Sequence, residues 1–313
     1  MRIKDLTPKS RPDELASIVA MIRSATIPVD QIGSVVDYVG SAVETVQAIE
    51  ADRLSLLGLP PLIGAVTDDA VEKALEDVRE WISATYDIRT VLDATYPRNL
   101  HSVFNKPPLL FCRGAWIEER DSRAVAVVGT RSASDEGLRR AGQLSRDLAA
   151  AGFTVVSGLA RGIDTAAHVA ALQYGGRTVA VMGTGIDLIY PSENRELSEQ
   201  ILGAGGALLS QFFPRQPPTQ WTFPKRNVVM SGLSLATVVV EASVTSGARM
   251  QARVALQHGR TVFLLKSLVD EHAWARQYVE EGVYGTTALM ISSSEDLVDR
   301  LELRKPEPEL VTA

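Results

Sequence analysis

The sequence holds one cysteine, Cys112, and four histidines, at positions 101, 168, 258 and 272. A single cysteine excludes a disulfide framework and a clustered-cysteine metal site within one chain. The histidines do not fall at metal-ligand spacings. No segment has about 18 uninterrupted apolar residues, and the opening MRIKDLTPKSRPDEL lacks the continuous apolar core of a signal peptide. These absences predict a soluble, cytoplasmic protein in a reducing setting, with no membrane partner. The Walker lysine motif, HExxH and GxSxG are also missing. Catalysis therefore has no obvious owner, and neither a cofactor nor a metal is expected. There is no internal repeat and no low-complexity segment.

What is present is an ordinary globular composition, with 45% hydrophobic and 22% charged residues over 313 positions. That length suggests about two domains. Net charge is −6, which argues against a polyanionic partner until its distribution is read. Residues 125–235 carry ten Lys/Arg and eight Asp/Glu, a net +2, whereas residues 1–116 carry twelve and sixteen, a net −4. Nucleic-acid binding depends on a local stripe of charge, so this pattern permits it.

Along the chain, Leu15, Ile18, Val19 and Ile22, then Ile32, Val35, Val36 and Val39, recur at the spacing of one helix face. Breakers at Pro28, Gly40, Gly58 and Pro60-Pro61 divide this region, to about Leu57, into short helices. A further helix is expected over Asp69–Trp81, capped by Asp68 or Asp69. The expected boundaries are a helical domain at 1–84, a core at 85–301 and a disordered tail at 302–313. Pro97, Pro107 and Pro108 exclude a long helix from the lead-in, where Leu109–Cys112 reads as a short strand covering one sheet edge. Strands are then expected at Ala124–Val128, Phe153–Ser157, Thr178–Met182, Ala207–Ser210, Thr237–Val240 and Thr261–Leu265. Helices such as Glu136–Ala150, Thr165–Tyr174 and Gln251–Gln257 lie between them. A helix near His272–Glu281, a strand near Ala288–Ile291 and a helix from Glu295 follow. Short apolar strands separated by helices indicate an α/β fold: a doubly wound, mostly parallel sheet.

Glycines follow several of these strands, as they do where a parallel sheet presents backbone N–H groups to a phosphate. Gly129 and Arg131 end the first core strand, with Arg131 projecting into the crevice. Ser157, Gly158, Arg161 and Gly162 follow the second, where Ser157 can donate a hydroxyl. Asp164 is an N-cap candidate, and His168 is either a packing histidine or a general base. Gly183 and Gly185 follow the third strand, but Leu188 stands where a dinucleotide fingerprint needs glycine, which disfavours an NAD site. Phe223-Pro224-Lys225-Arg226-Asn227 places two cations and an amide beside an aromatic ring. It follows the proline-rich loop 211–218, which would carry it over the crevice. Such a run suits a sugar–phosphate backbone, with Phe223 or Trp221 available to stack on bases. Ser246 and Gly247 form a last glycine turn with hydroxyl and N–H donors. The bland alternatives are a surface arginine closing a turn at Arg131 and a helix start with solvated charges at Lys225 and Arg226.

The ordered motifs VAVVGTRSAS, SGLARGIDTAAH, VMGTGIDLIYPSEN, FPKRN with MSGLS, VVVEASVTSGA and HGRTVF, with YPRNL and KPPLLFCRG before them, resemble the DNA-processing protein DprA/Smf family. The resemblance spans about 96–263. It implies an extended Rossmann-like core that binds single-stranded DNA, forms a homodimer, and in natural transformation delivers strands to the recombinase RecA. By motif it places DNA contacts on Arg131, on the glycine turns at Gly158 and Gly183, and on Phe223, Lys225, Arg226 and Asn227. The N-terminal helices stand where the family has a small, SAM-like helical domain. Departures fall late: SGARMQA over 246–252 where SGSLITA is common, Leu264-Leu265-Lys266 where a VPG turn is usual, and Gln211 where glutamate is frequent. The chain also stops soon after the core, without the winged-helix module that many members carry.

The expected function is thus non-enzymatic binding of single-stranded DNA, protecting it or handing it to a RecA-type recombinase in DNA uptake, recombination or a related defence process. The alternative is a nucleotide-sensing or nucleotide-hydrolysing protein on the same fold. For that reading Glu241 is the first carboxylate to test, although the PGGxGT signature of related hydrolases is absent.

Overall fold

A computed structural model describes residues 11–24, 27–50 and 66–303 of the protein. Of the expected tail at 302–313, Glu302 is helical and residues 304–313 lie outside the described residues, as do the breakers at Gly58 and Pro60-Pro61. Among the described residues four helices come first: α1 (Arg11–Arg23), α2 (Val29–Val39), α3 (Ala42–Glu50) and α4 (Asp68–Ile82). Helix α2 starts directly after Pro28 and stops at Gly40, whose left-handed φ of 83° ends the helix and lets its N–H reach the Val36 carbonyl. Helix α4 is capped by Thr67, whose hydroxyl accepts from the Ala70 N–H. The expected caps Asp68 and Asp69 sit instead in its first turn, where their charge favours the positive helix end.

The lead-in adds β1 (Asp87–Thr90), α5 (Arg98–His101), β2 (Leu109–Gly114) and α6 (Glu118–Asp121). The core follows as β3 (Ala124–Val128), α7 (Asp135–Ala150), β4 (Thr154–Ser157), α8 (Ile163–Gln173), β5 (Thr178–Val181), α9 (Arg195–Gly203), β6 (Ala207–Ser210), α10 (Thr222–Leu233), β7 (Ala236–Val239) and α11 (Gly247–Gln257). The described residues end with β8 (Thr261–Leu265), α12 (Lys266–Glu271), α13 (Ala273–Glu280), β9 (Leu289–Ile291) and α14 (Ser294–Glu302).

The strands form one sheet in the order β1-β2-β6-β5-β4-β3-β7-β8-β9. Every pair from β6 to β9 is parallel, while β1 and β2 extend the β6 edge antiparallel. The lead-in therefore joins the sheet rather than only covering its edge. The architecture is an extended Rossmann-like, doubly wound α/β fold preceded by helices.

Strand β3 shows why. All five of its residues are buried, as a parallel strand with helices on both faces requires. Val125 and Val127 join the core that includes Leu144 and Leu148 of α7 and Ile163 of α8. Ala124, Ala126 and Val128 point the other way, into the core that includes Val229 of α10 and Leu256 of α11. Each such valine contributes about 1.5–3 kcal/mol by burial.

The same second core continues into the N-terminal helices. Trp81 of α4 packs edge-on against Phe111 of β2, with ring centroids 5.4 Å apart, and stacks on Phe213 at 5.3 Å. Asp37 of α2 meets His101 at 3.0 Å and Lys106 at 2.9 Å.

Candidate nucleic-acid interface

From β3 the chain winds outward in both directions, through β4, β5 and β6 on one side and β7, β8 and β9 on the other. A doubly wound sheet leaves its binding crevice outside the carboxyl ends of the strands at this reversal. A cleft of about 400 Å³ lies there, bordered by Gly129 and Arg131 after β3, Phe223 and Asn227 of α10, and Ser246 and Gly247 at the start of α11. A smaller pocket beside it shares Arg131 and Phe223 and adds Gly158, Arg161, Tyr190 and Pro191.

Arg131 is exposed and lies over the Phe223 ring, with its guanidinium carbon 4.9 Å from the ring centroid. Tyr190, half exposed, meets the same ring at 6.0 Å between centroids. Phe223 is thus held between a cation and a second aromatic, where the two pockets meet. Lys225 stands exposed in the first turn of α10. Neither Arg131 nor Lys225 has a carboxylate partner among the described residues. Arg161 is exposed and pairs with Glu193, a surface contact weak enough to yield to a phosphate. Gly247 is exposed, with open space where a Cβ would be, and Ser246 accepts from the Ala248 N–H as the cap of α11.

The remaining expected contacts lie beneath this surface. Arg226 is only 7% exposed and donates Nη1 to the Val181 carbonyl at the end of β5, at 3.0 Å. Its neighbour Lys225 faces solvent, so the two adjacent cations do not close together over a strand as expected. FPKRN is the opening of a helix, and its inward phase takes Phe223 and Arg226 while Lys225 points away. Burial draws the Arg226 guanidinium below its ordinary pKa; buried Asp164 opposes that shift, and nearby Arg131 adds to it. Burial likewise raises Asp164, which Arg226 opposes.

The turn after β4 is closed from inside. Asp164 accepts from the N–H groups of Gly158, at 3.1 Å, and Ala160, and it lies inside α8 rather than at the cap, which is Gly162. Ser157, expected as a donor to ligand, is buried and donates its hydroxyl to the Val127 carbonyl at 2.7 Å. A Cβ on Gly158 would coincide with the Arg226 guanidinium, and one on Gly183 would strike the Phe223 ring. These two glycines therefore receive protein side chains. Gly162 has a φ of 73°, and a Cβ there would meet the Thr130 and Arg131 carbonyls. Only glycine lets α8 start against that loop. Gly129 makes room for Ile163, and Gly185 for the Phe213 and Pro214 carbonyls. Asn227 is buried, with Nδ2 3.5 Å from the Gly247 carbonyl, so it joins α10 to the α11 turn. Trp221 is 69% exposed before α10.

His168 is a packed core residue. It is fully buried, its Nδ1 lies 2.7 Å from the Thr178 hydroxyl, and burial lowers its pKa to about 3. Glu241 accepts from the backbone N–H and the hydroxyl of Ser134, the latter at 2.8 Å, and so steadies the cap of α7. Among the described residues no group of three or more His, Cys, Asp or Glu could hold a metal ion, and no helix is long and apolar enough to cross a membrane. A larger cleft of about 490 Å³ lies beside the start of α7. Its cations are already engaged, Arg139 and Arg140 with Glu136 and Lys266 with Asp270, so the cleft at the strand reversal is the stronger candidate. The ring of Tyr190 is the part of that site least visible in sequence: its only signal was a position shortly after the GTG turn.

Residues 87–302 match the family model described as DNA recombination-mediator protein A. The chain is 36% identical over 215 residues to the DNA processing protein DprA of Streptococcus pneumoniae, covering 68% of this chain and 73% of that one. It is 44% identical over 182 residues to the protein Smf of a Synechocystis species, covering 57% of this chain and 45% of the relative, so it spans about half of that protein's length. The crystal structure of DprA from Streptococcus pneumoniae superposes with a TM-score of 0.72 and 26% identity, covering 96% of this chain and 98% of that one. A Helicobacter pylori DNA processing protein A, whose structure describes a single-stranded DNA binding mode, superposes with a TM-score of 0.60 and 25% identity, covering 71% of this chain and 97% of that one. The chain belongs to the DNA recombination-mediator protein A family, that of the DprA and Smf proteins.

Proposed function

We propose that this protein binds single-stranded DNA along the crevice beyond β3 and β7. The observation that carries the reading is Arg131, exposed at the cleft over the Phe223 ring and without a carboxylate partner among the described residues; Lys225, likewise exposed and unpaired among them, adds positive charge on the outer side of α10. Phosphates meet the cations and the open N-terminal turn of α11, where the helix dipole favours negative charge. Bases stack on the exposed aromatic surface of Tyr190 or Trp221. The single-stranded DNA binding of the Helicobacter pylori relative supports the same ligand here. Binding at this site needs no chemistry, and Glu241, the carboxylate first considered for hydrolysis, is engaged in holding Ser134. The role is therefore non-enzymatic.

In the cell the protein protects a strand and hands it to a RecA-type recombinase, acting as a homodimer in the cytoplasm. Fluorescence anisotropy with a labelled single strand tests the site. The Arg131→Ala, Lys225→Ala double variant binds at least about 10-fold more weakly at moderate salt; unchanged affinity removes the site. Loading of a recombinase onto coated strands tests the handover, and sedimentation tests the dimer. A tighter grip on a free mononucleotide than on a strand would favour the sensor instead.

A further inference from the structure

Gln251 lies in the second turn of α11 and borders the main cleft with Asn227 and Gly247. It is 1% exposed, and neither Nε2 nor Oε1 has a hydrogen-bond partner among the described residues. A primary amide carries two donors and an acceptor, and burying it unpaired is unfavourable, whereas an apolar side chain of similar length would fill the same space without that penalty. Asn227, the neighbouring buried amide, reaches the Gly247 carbonyl. The fold therefore positions Gln251 at the cleft without using its polar group.

We propose that Gln251 reads a nucleobase of the bound strand, which makes it a specificity-determining residue of the cleft; this rests on the single-strand reading of the site. The chemistry of the amide selects the ligand class. A phosphate offers only acceptors and would satisfy Nε2 while leaving Oε1 facing negative charge. A nucleobase presents a donor and an acceptor side by side on its edge, and an amide meets both at once. Arg131, the exposed cation that suits a phosphate, borders the same cleft from the loop after β3, on a different element from Gln251. Met250, 44% exposed beside Gln251 on α11, offers an apolar surface for the face of the base. Gln251 and Arg249 also stand where SGSLITA is common in the family. Arg249 turns away, donating to the Val244 carbonyl and lying over Trp274, whereas Gln251 borders the cleft with Ala248 and Met250 and is the one of these three with a polar side chain.

The test compares wild type and Gln251→Met, which keeps the length and shape of the side chain, on a single-stranded oligonucleotide and on an abasic oligonucleotide of equal length. Wild type binds the base-bearing strand more tightly. The substitution weakens that binding about 10-fold, the size of one bidentate amide–base contact, and leaves the abasic strand and both salt slopes unchanged. The melting temperature of the free variant stays level or rises, because an unpaired amide has gone. A base-bearing to abasic ratio that the substitution does not move overturns the assignment; a fall in melting temperature alongside it marks the amide as part of the fold. A wild type that binds neither strand overturns the single-strand reading itself, so the two failures are distinguishable.

Discussion

The Arg131 guanidinium carbon lies 4.9 Å from the centroid of the Phe223 ring, which itself covers Gly183 and meets Tyr190. The ring orients a cation that has no carboxylate partner among the described residues, an arrangement worth about 0.5–1 kcal/mol at an exposed position. Phe223→Ala therefore releases Arg131 and opens the space over Gly183. Affinity for a single strand falls by about 2- to 5-fold, the size of that contact, and Phe223→Leu, which fills the space without a ring face, recovers stability but not affinity. Anisotropy beside thermal melting separates these effects.

Arg226 and Lys225 respond oppositely to removal. Lys225 faces solvent, so Lys225→Ala weakens binding with little change in melting temperature. Arg226 is buried against the Gly158 turn beside Asp164. Arg226→Ala removes the guanidinium that fills the space over Gly158, its bond to the Val181 carbonyl and the cation beside buried Asp164, and so lowers stability. Chemical denaturation of the two variants measures the contrast.

Acid weakens the fold through two histidines. Burial lowers His168 from 6.5 to about 3 and, with Arg260 adding to it, His258 to about 4. Both are neutral in the folded chain, so the unfolded chain binds the extra protons as pH falls below 6.5. Their contribution is complete above that value and is lost on acidification toward 3–4. Each accounts for about 2 kcal/mol between pH 8 and pH 5. His168→Gln flattens the dependence of unfolding free energy on pH over this window, measured by urea titration at each pH.

The parallel core was legible because strands such as β3 and β8 are short apolar runs buried on both faces, with helices between them. Strand β1, DIRT, was not: it is a partly exposed antiparallel edge strand with Ile88 as its single apolar residue, too little to show a pattern. The start of α11 at Gly247, four residues before the expected Gln251, was hidden because a glycine argues against helix while a capping serine before it permits one. At the site, Arg131 and Phe223 could be named from motif and strand-end position. The distinction between Lys225 and Arg226 could not, because adjacent cations look alike until the phase of α10 is known. The roles of Gly158 and Gly183 were hidden for a related reason: a glycine after a strand signals close approach, but not whether a ligand or a protein side chain approaches. Asp164 and Arg226, distant in sequence, answer that only in three dimensions.

The central claim is that a charged track for a single strand crosses the carboxyl ends of β3 and β7, anchored by Arg131 and Lys225. The most direct measurement is a salt series of binding to single- and double-stranded DNA by wild type and by the Arg131→Ala, Lys225→Ala variant. The account predicts tighter binding of the single strand, affinity that falls linearly with the logarithm of salt, and a slope that is shallower by about 1.4 in the double variant, roughly 0.7 for each phosphate no longer neutralised. Identical slopes for wild type and variant, or a preference for duplex, would contradict it.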